Sequence, residues 1–171
     1  TGTGGTGLVT KWTDVSNQRS WQFQIKNAAG TAIFYYSTSG ADYPTVTFNS
    51  VTLTSNTWTH FSLVRIGNTL NLYKNGTLAG TSAFSSTIYN SNSQLAIGAW
   101  FGGVAGVPET EGGSSLFQGY IDEVRVTKGV ARYTTNFTTS SVAFANNVGV
   151  TQYATKYLSL IHISEPTRRY A

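Results

Sequence analysis

Strict alternation of apolar and polar residues is the feature that most restricts this chain. In WQFQIK, Trp21, Phe23 and Ile25 fall on one side while Gln22, Gln24 and Lys26 fall on the other. That is the two-residue period of a half-buried antiparallel strand. AIFYY, TVTFN, WTHFSLVRI, TLNLYKN, QLAIGAW and GYIDEVRV read likewise, and Gly, Asn and Ser clusters separate them. Pro occurs only at 44, 108 and 166, outside the strand centres, so no central strand loses a ladder donor. Short strands at near-regular spacing predict an all-β fold, a two-sheet antiparallel β-sandwich of jelly-roll type. VARYTTNF, residues 130–137, is the one stretch that reads as a helical turn.

Two connections are sharp enough to fix local topology. Gly67-Asn68 separates WTHFSLVRI from TLNLYKN, and Asn75-Gly76 separates that strand from TLAGT; Asn-Gly supplies the two positive-φ positions of a type I′ turn. A three-stranded meander follows. The longest loop, GGVAGVPETEGGSS between Trp100 and Leu116, carries Glu109 and Glu111. A loop of that length serves either function or connection.

Composition narrows the chemistry. Charged residues are 11% of the 171, against about a quarter in an ordinary soluble chain, and Ser, Thr, Asn and Gly carry the polarity instead. A helical bundle is excluded on this ground, and the length suits one domain. There is no Cys, hence no disulfide, thiolate zinc site or cysteine nucleophile. The 11 Lys and Arg outnumber the 7 Asp and Glu but are scattered, with no run beyond Arg168-Arg169, so no basic patch for nucleic acid is expected. No apolar stretch approaches the roughly 18 residues of a membrane span, and no signal-peptide pattern is present. The chain begins at Thr1 with the Gly-rich TGTGGTG, read as a truncated lead-in over residues 1–7.

Three stretches, WTHFSLVRIGNTLNLYKNGTLAG, QLAIGAW and FQGYIDEVRVTKGVARYTTNF, resemble in combination the laminin G-like jelly rolls of the concanavalin A-like family. The ending VTKGVARYTTNFTTS is similar to versions found in bacteriophage and marine viral structural proteins. The resemblance implies two stacked antiparallel sheets with Trp58, Phe61, Leu63, Leu70, Leu72, Leu95 and Ile97 in the core. It also implies a further strand ahead of LVTKW, where this chain has TGTGGTG.

The chemistry that the related glucanases use is not legible here. Their Glu-x-Asp-x-x-Glu strand places carboxylates on one face, whereas Tyr120 stands two before Asp122 and Arg125 three after it. Glu109 and Glu111 are the remaining acidic candidates, and neither sits on a strand. His60, the only His before residue 158, reads as part of the strand surface or its hydrogen-bond network. No Gly-x-Ser-x-Gly elbow or phosphate loop is present. The expected function is therefore non-catalytic.

Asp122 sits where the apolar parity switches from Ile121 to Val124 and Val126, which suggests a β-bulge or burial on both faces. The resemblance implies calcium in many members, with Asp122 as the ligand here; an ion pair with Arg125 or Arg132 is the alternative. Carbohydrate binding calls for an exposed aromatic beside fixed polar groups, and Tyr43, Trp100 and Phe101 are the candidates. Trp100 also reads as the end of a core strand. The sequons Asn75-Gly76-Thr77 and Asn136-Phe137-Thr138 matter only in a eukaryotic secretory setting.

Residues 158–168, LSLIHISEPTR, resemble the in-frame translation of a sequencing-library adapter; the alternative is that YLSLIHI is a strand in its own right. The expected organisation is a lead-in at 1–7, a jelly roll over 8–147, a linker at 148–157 and an artefact over 158–171. Setting those last residues aside removes His162, Glu165, Arg168 and Arg169 and weakens the basic balance. The function that follows is adhesion to a glycan or cell-surface polymer by one module of a virion or extracellular surface protein. Packing against neighbouring domains is the alternative.

Overall fold

The computed structural model describes residues 6–26, 30–100, 116–142 and 157–163. Ten strands are described: β1 (Thr6–Thr13), β2 (Gln18–Lys26), β3 (Thr31–Tyr36), β4 (Thr45–Phe48), β5 (Phe61–Ile66), β6 (Thr69–Lys74), β7 (Thr77–Ala83), β8 (Leu95–Ile97), β9 (Arg125–Gly129) and β10 (Tyr157–Ile163). They form two five-stranded sheets, ordered β4-β3-β2-β1-β8 and β7-β6-β5-β10-β9, and every pairing is antiparallel. The chain divides into two compact units, Thr1–Leu53 with Ser86–Ile121 and Thr54–Ser85 with Asp122–Ala171. Each unit holds one of the sheets.

In the first unit β2 is the middle strand. Trp21, Phe23 and Ile25 are buried as the alternation predicts, opposite Tyr36, Phe34 and Ala32 of β3. Gln22 and Gln24, expected to face water, are buried as well. A middle strand with neighbours on both sides has no exposed edge, and here both of its faces are covered. Gln24 Nε2 donates to Gln22 Oε1 at 2.8 Å, so the two amides partly satisfy one another in a setting where an unmade hydrogen bond is costly.

Three expected core residues are not buried. Leu95 and Ile97 are 50% and 53% exposed, and Trp58 is half-buried. β8 is a three-residue edge strand paired only with β1, and the buried residue on it is Ala96, opposite Thr10. Apolar character on a short edge strand does not ensure burial, because among the described residues no strand pairs with its outer side. Phe61, Leu63, Leu70 and Leu72 are buried as expected.

The meander β5-β6-β7 forms in the second unit. Asn75 and Gly76 have φ of 50° and 77°, the two positive values of a type I′ turn. At the first turn only Gly67 is positive, at 58°. Asn75 also clamps the strand start: its Oδ1 accepts the His60 N–H, and its own N–H donates to the His60 carbonyl, both at 2.8 Å.

Two local expectations change. Residues 130–137 form no helical turn. They cross the β6–β7 turn instead, where the Phe137 N–H donates to the Gly76 carbonyl at 2.9 Å and Asn136 Oδ1 accepts the Leu78 N–H at 2.9 Å. GYIDEVRV becomes a strand only from Arg125, because Glu123 has φ of 51°. That left-handed residue is the physical source of the parity switch beside Asp122. YLSLIHI pairs as β10 between β5 and β9, as a heptapeptide rich in Leu, Ile and Tyr will whatever its genetic origin.

Gly76 is required twice over, by its positive φ and by space: a Cβ there would lie 1.9 Å from the Phe137 carbonyl oxygen. Gly76→Ala is expected to cost about 2 kcal/mol or more, read as a lower urea midpoint at unchanged slope. An unchanged midpoint would contradict the close approach.

Candidate functional site

The connection from β1 to β2 is short. Asp14 leads into a 3-10 turn, Val15–Asn17, whose Ser16 and Asn17 adopt φ of 54° and 56°. This reversal brings Asp14 and Arg19 together, with Arg19 Nε donating to Asp14 Oδ1 at 2.7 Å. The same oxygen accepts Trp12 Nε1 at 3.0 Å. The Arg19 guanidinium lies 5.9 Å from the Trp12 ring centroid and 5.4 Å from that of Tyr43, within cation–π range of both. Trp12 meets Tyr35 edge-on, with centroids 6.5 Å apart.

Tyr43 stands on the connection between β3 and β4, and Asp42 fixes its place. Five hydrogen bonds end on the Asp42 carboxylate: from Ser37 Oγ at 2.5 Å, Thr38 N at 2.9 Å, Thr38 Oγ1 at 2.6 Å, Ser39 N at 2.9 Å and Ser39 Oγ at 2.7 Å. The Ser37 hydroxyl, followed by those of Thr38 and Ser39, holds the Asp42 carboxyl far below the usual carboxylate range, because each bond favours the charged form. Gly40, at φ of 91°, lets the loop turn against Asn17 and Tyr89, and its carbonyl accepts the Arg19 N–H at 3.3 Å. Arg19 Nη1 donates to the Ala41 carbonyl. Tyr36 N–H closes the loop on the Pro44 carbonyl at 3.1 Å.

The outcome is a graded surface. Trp12 is buried, the Arg19 side chain is 18% exposed, Asp14 is 40% and Tyr43 is 64%. A rigidly held aromatic ring beside a charged pair can stack on the apolar face of a ligand and accept or donate hydrogen bonds at its edge.

The other candidates lie apart. Trp100 is half-buried and follows Ala99, whose carbonyl accepts Thr10 Oγ1 at 2.9 Å and packs beside Gly7. Gly7 and Trp12 stand at opposite ends of β1, about 16 Å apart at strand rise, so Tyr43 and Trp100 do not share one platform. Phe101, Glu109 and Glu111 lie outside the described residues. Asp122 is half-buried, and its Oδ1 accepts the Glu123 N–H at 2.8 Å. Arg132, one proposed partner, donates Nε to Thr127 Oγ1 at 3.2 Å.

Among the described residues no three His, Cys, Asp or Glu side chains converge on one point. We propose Asp122 as a calcium ligand, tested by melting the protein with calcium and with a chelator: a structural ion raises a melting temperature that the chelator lowers, and an unchanged value would contradict it.

His60 is buried and ringed by aromatics. Its ring meets Phe137 edge-on at 5.5 Å and Tyr133 at 6.4 Å, while Tyr133 and Phe137 stack at 3.6 Å. Burial pushes its pKa down to about 4. A neutral imidazole under an aromatic cover is a structural group rather than an accessible base.

These shifts set the acid response. The unfolded chain takes up the His60 proton more readily than the folded one, so that contribution is full above about pH 6.5 and is lost as pH falls toward 4. The Asp42 contribution is full above the ordinary carboxylate value of 3.8 and is lost below it. His60→Gln is expected to flatten the first fall in melting temperature and Asp42→Asn the second. A wild-type melting temperature constant from neutral pH to about pH 4 would contradict the first assignment.

Sequence reasoning singled out Tyr43 but passed over Trp12, Asp14, Arg19 and Asp42. The Ser, Thr, Gly and Asp of STSGAD carried a signal, since those types hydrogen-bond their own loop.

The comparisons bear on the scaffold. Residues 2–132 match the family model described as the concanavalin A-like lectin/glucanases superfamily, of laminin G type. No curated protein and no solved structure matches the chain.

Proposed function

The chain belongs to the concanavalin A-like lectin/glucanases superfamily, and from that premise we propose that it is a non-catalytic laminin G-like module binding a glycan or cell-surface polymer. The observation that carries the reading is the exposed Tyr43 ring, set by the Asp42 loop beside Asp14 and Arg19. The superfamily joins lectins and glucanases under one fold, and fold alone does not choose between them. The choice of binding over hydrolysis rests on Tyr120 and Arg125 standing where a glucanase strand would carry Glu.

The setting we propose is a virion or extracellular surface protein in which residues 8–147 form the module. Residues 158–171 are proposed to be a translated adapter. Genomic DNA sequenced without such adapters tests this, and a natural reading frame encoding LSLIHISEPTR would refute it. Among the described residues no helix is long and apolar enough to cross a membrane. Trp100, and Phe101 on the sequence alone, are proposed as further glycan-contacting residues.

A packing role has one observation in its favour, the exposed Leu95 and Ile97 on edge strand β8. A glycan array distinguishes the two readings. Tyr43→Ala is expected to weaken glycan binding about tenfold, the scale of one lost aromatic stacking contact. Silence of the wild-type protein across diverse neutral and acidic glycans would contradict adhesion and favour packing.

A further inference from the structure

The overall excess of Lys and Arg, 11 against 7, suggests an acidic polymer as the ligand. The charges around Tyr43 suggest otherwise. The cation there, Arg19, gives Nε to Asp14 Oδ1 and Nη1 to the Ala41 carbonyl, and it lies over the Trp12 and Tyr43 rings. Two of its N–H donors are thus committed, and the Asp14 carboxylate beside it repels an incoming sulfate or carboxylate. Lys11, the neighbouring cation on β1, is directed elsewhere: its Nζ donates to Asn90 Oδ1 at 3.2 Å and to the Ser91 carbonyl. Against one paired cation stand two carboxylates, Asp14 and Asp42. The Asp42 charge is held by its own loop.

Asp14 differs from Asp42 in what it leaves open. Its Oδ1 accepts two bonds, while its Oδ2 accepts none from the described residues, and the side chain is 40% exposed. The pair of Tyr43 and Asp14 thus offers an aromatic face and an anionic acceptor. A pyranose complements both, with its C–H face on the ring and a hydroxyl donating to the carboxylate. A sulfated, phosphorylated or uronic sugar would bring like charge to Asp14 and Asp42, which opposes binding.

We propose that the Tyr43 surface selects neutral hexopyranosides over anionic glycans, with Tyr43 as the stacking platform and Asp14 as the hydroxyl acceptor. This rests on the reading of the chain as a glycan-binding module and narrows it to a ligand class.

The test titrates the full chain with neutral glucan, mannan and galactan oligosaccharides, and with dextran sulfate, heparin and oligogalacturonate. Salt is varied from about 0.05 M to about 0.5 M, across which exposed charge pairs are strongly screened. A neutral oligosaccharide is expected to bind with affinity that changes less than about twofold across that range. Binding is expected to fall about tenfold in Tyr43→Ala, persist in Tyr43→Trp and weaken several-fold in Asp14→Asn. Melting curves of each variant separate lost binding from lost folding, and Tyr43, being exposed, is expected to leave the melt unchanged.

Preference for an anionic polymer, collapsing at high salt yet still dependent on Tyr43, would overturn the neutral class and leave the glycan-binding reading standing. Neutral binding indifferent to Tyr43→Ala would overturn the site. No binding to any of these ligands would overturn both.

Discussion

The Asp42 carboxylate is the constraint on which the candidate surface depends. Its five hydrogen bonds convert STSGAD from a flexible polar loop into a fixed turn. That turn reaches back to β2 through the Gly40 carbonyl and the Arg19 N–H. Tyr43 and Arg19 are then placed relative to each other by backbone geometry rather than by side-chain chance. If Tyr43 binds as proposed, a ring held this way loses little conformational freedom on meeting a ligand, which is where an exposed aromatic gains affinity.

The rest of the first sheet supports this arrangement from behind. From Ser20 to Ile25 β2 is buried on both faces, so Arg19 leads directly into a packed interior that resists displacement. The second unit uses a different device for the same end. There, Asn75 and Asn136 hold His60 and Leu78 through their side-chain oxygens, and Phe137 packs against Tyr133, Tyr73 and His60. The asparagines of both sequons are thus turn and cap residues. Their place in the fold accounts for them without glycosylation.

The class of fold and most of its strands were legible in the sequence, because period-2 alternation and Asn-Gly chemistry act locally. WQFQIK, AIFYY, TVTFN and TLNLYKN all became strands. What alternation could not show was the position of each strand in its sheet. Gln22 and Gln24 look solvent-facing until β2 proves central, and Leu95 and Ile97 look buried until β8 proves an edge. GYIDEV failed as a strand through one backbone angle, at Glu123, which no side-chain pattern reports. Among the site residues Tyr43 was legible as a loop aromatic. The Asp14–Arg19 pair was not, because Asp14, Ser16 and Asn17 mark a turn without reporting the left-handed angles at Ser16 and Asn17 that bring the two side chains together.

On the proposed reading, the aromatic and acidic patch at one end of a sheet of this laminin G-like scaffold recognises sugars by shape and hydroxyl geometry rather than by charge. Ring resonances report this contact most directly. With the aromatic side chains isotopically labelled, a neutral oligosaccharide titrated into the protein should shift the Tyr43 ring signals first, then those of Trp12 and Tyr35, with Phe23 and Phe34 unmoved. Saturating shifts confined to Trp100, with Tyr43 unmoved, would contradict the account.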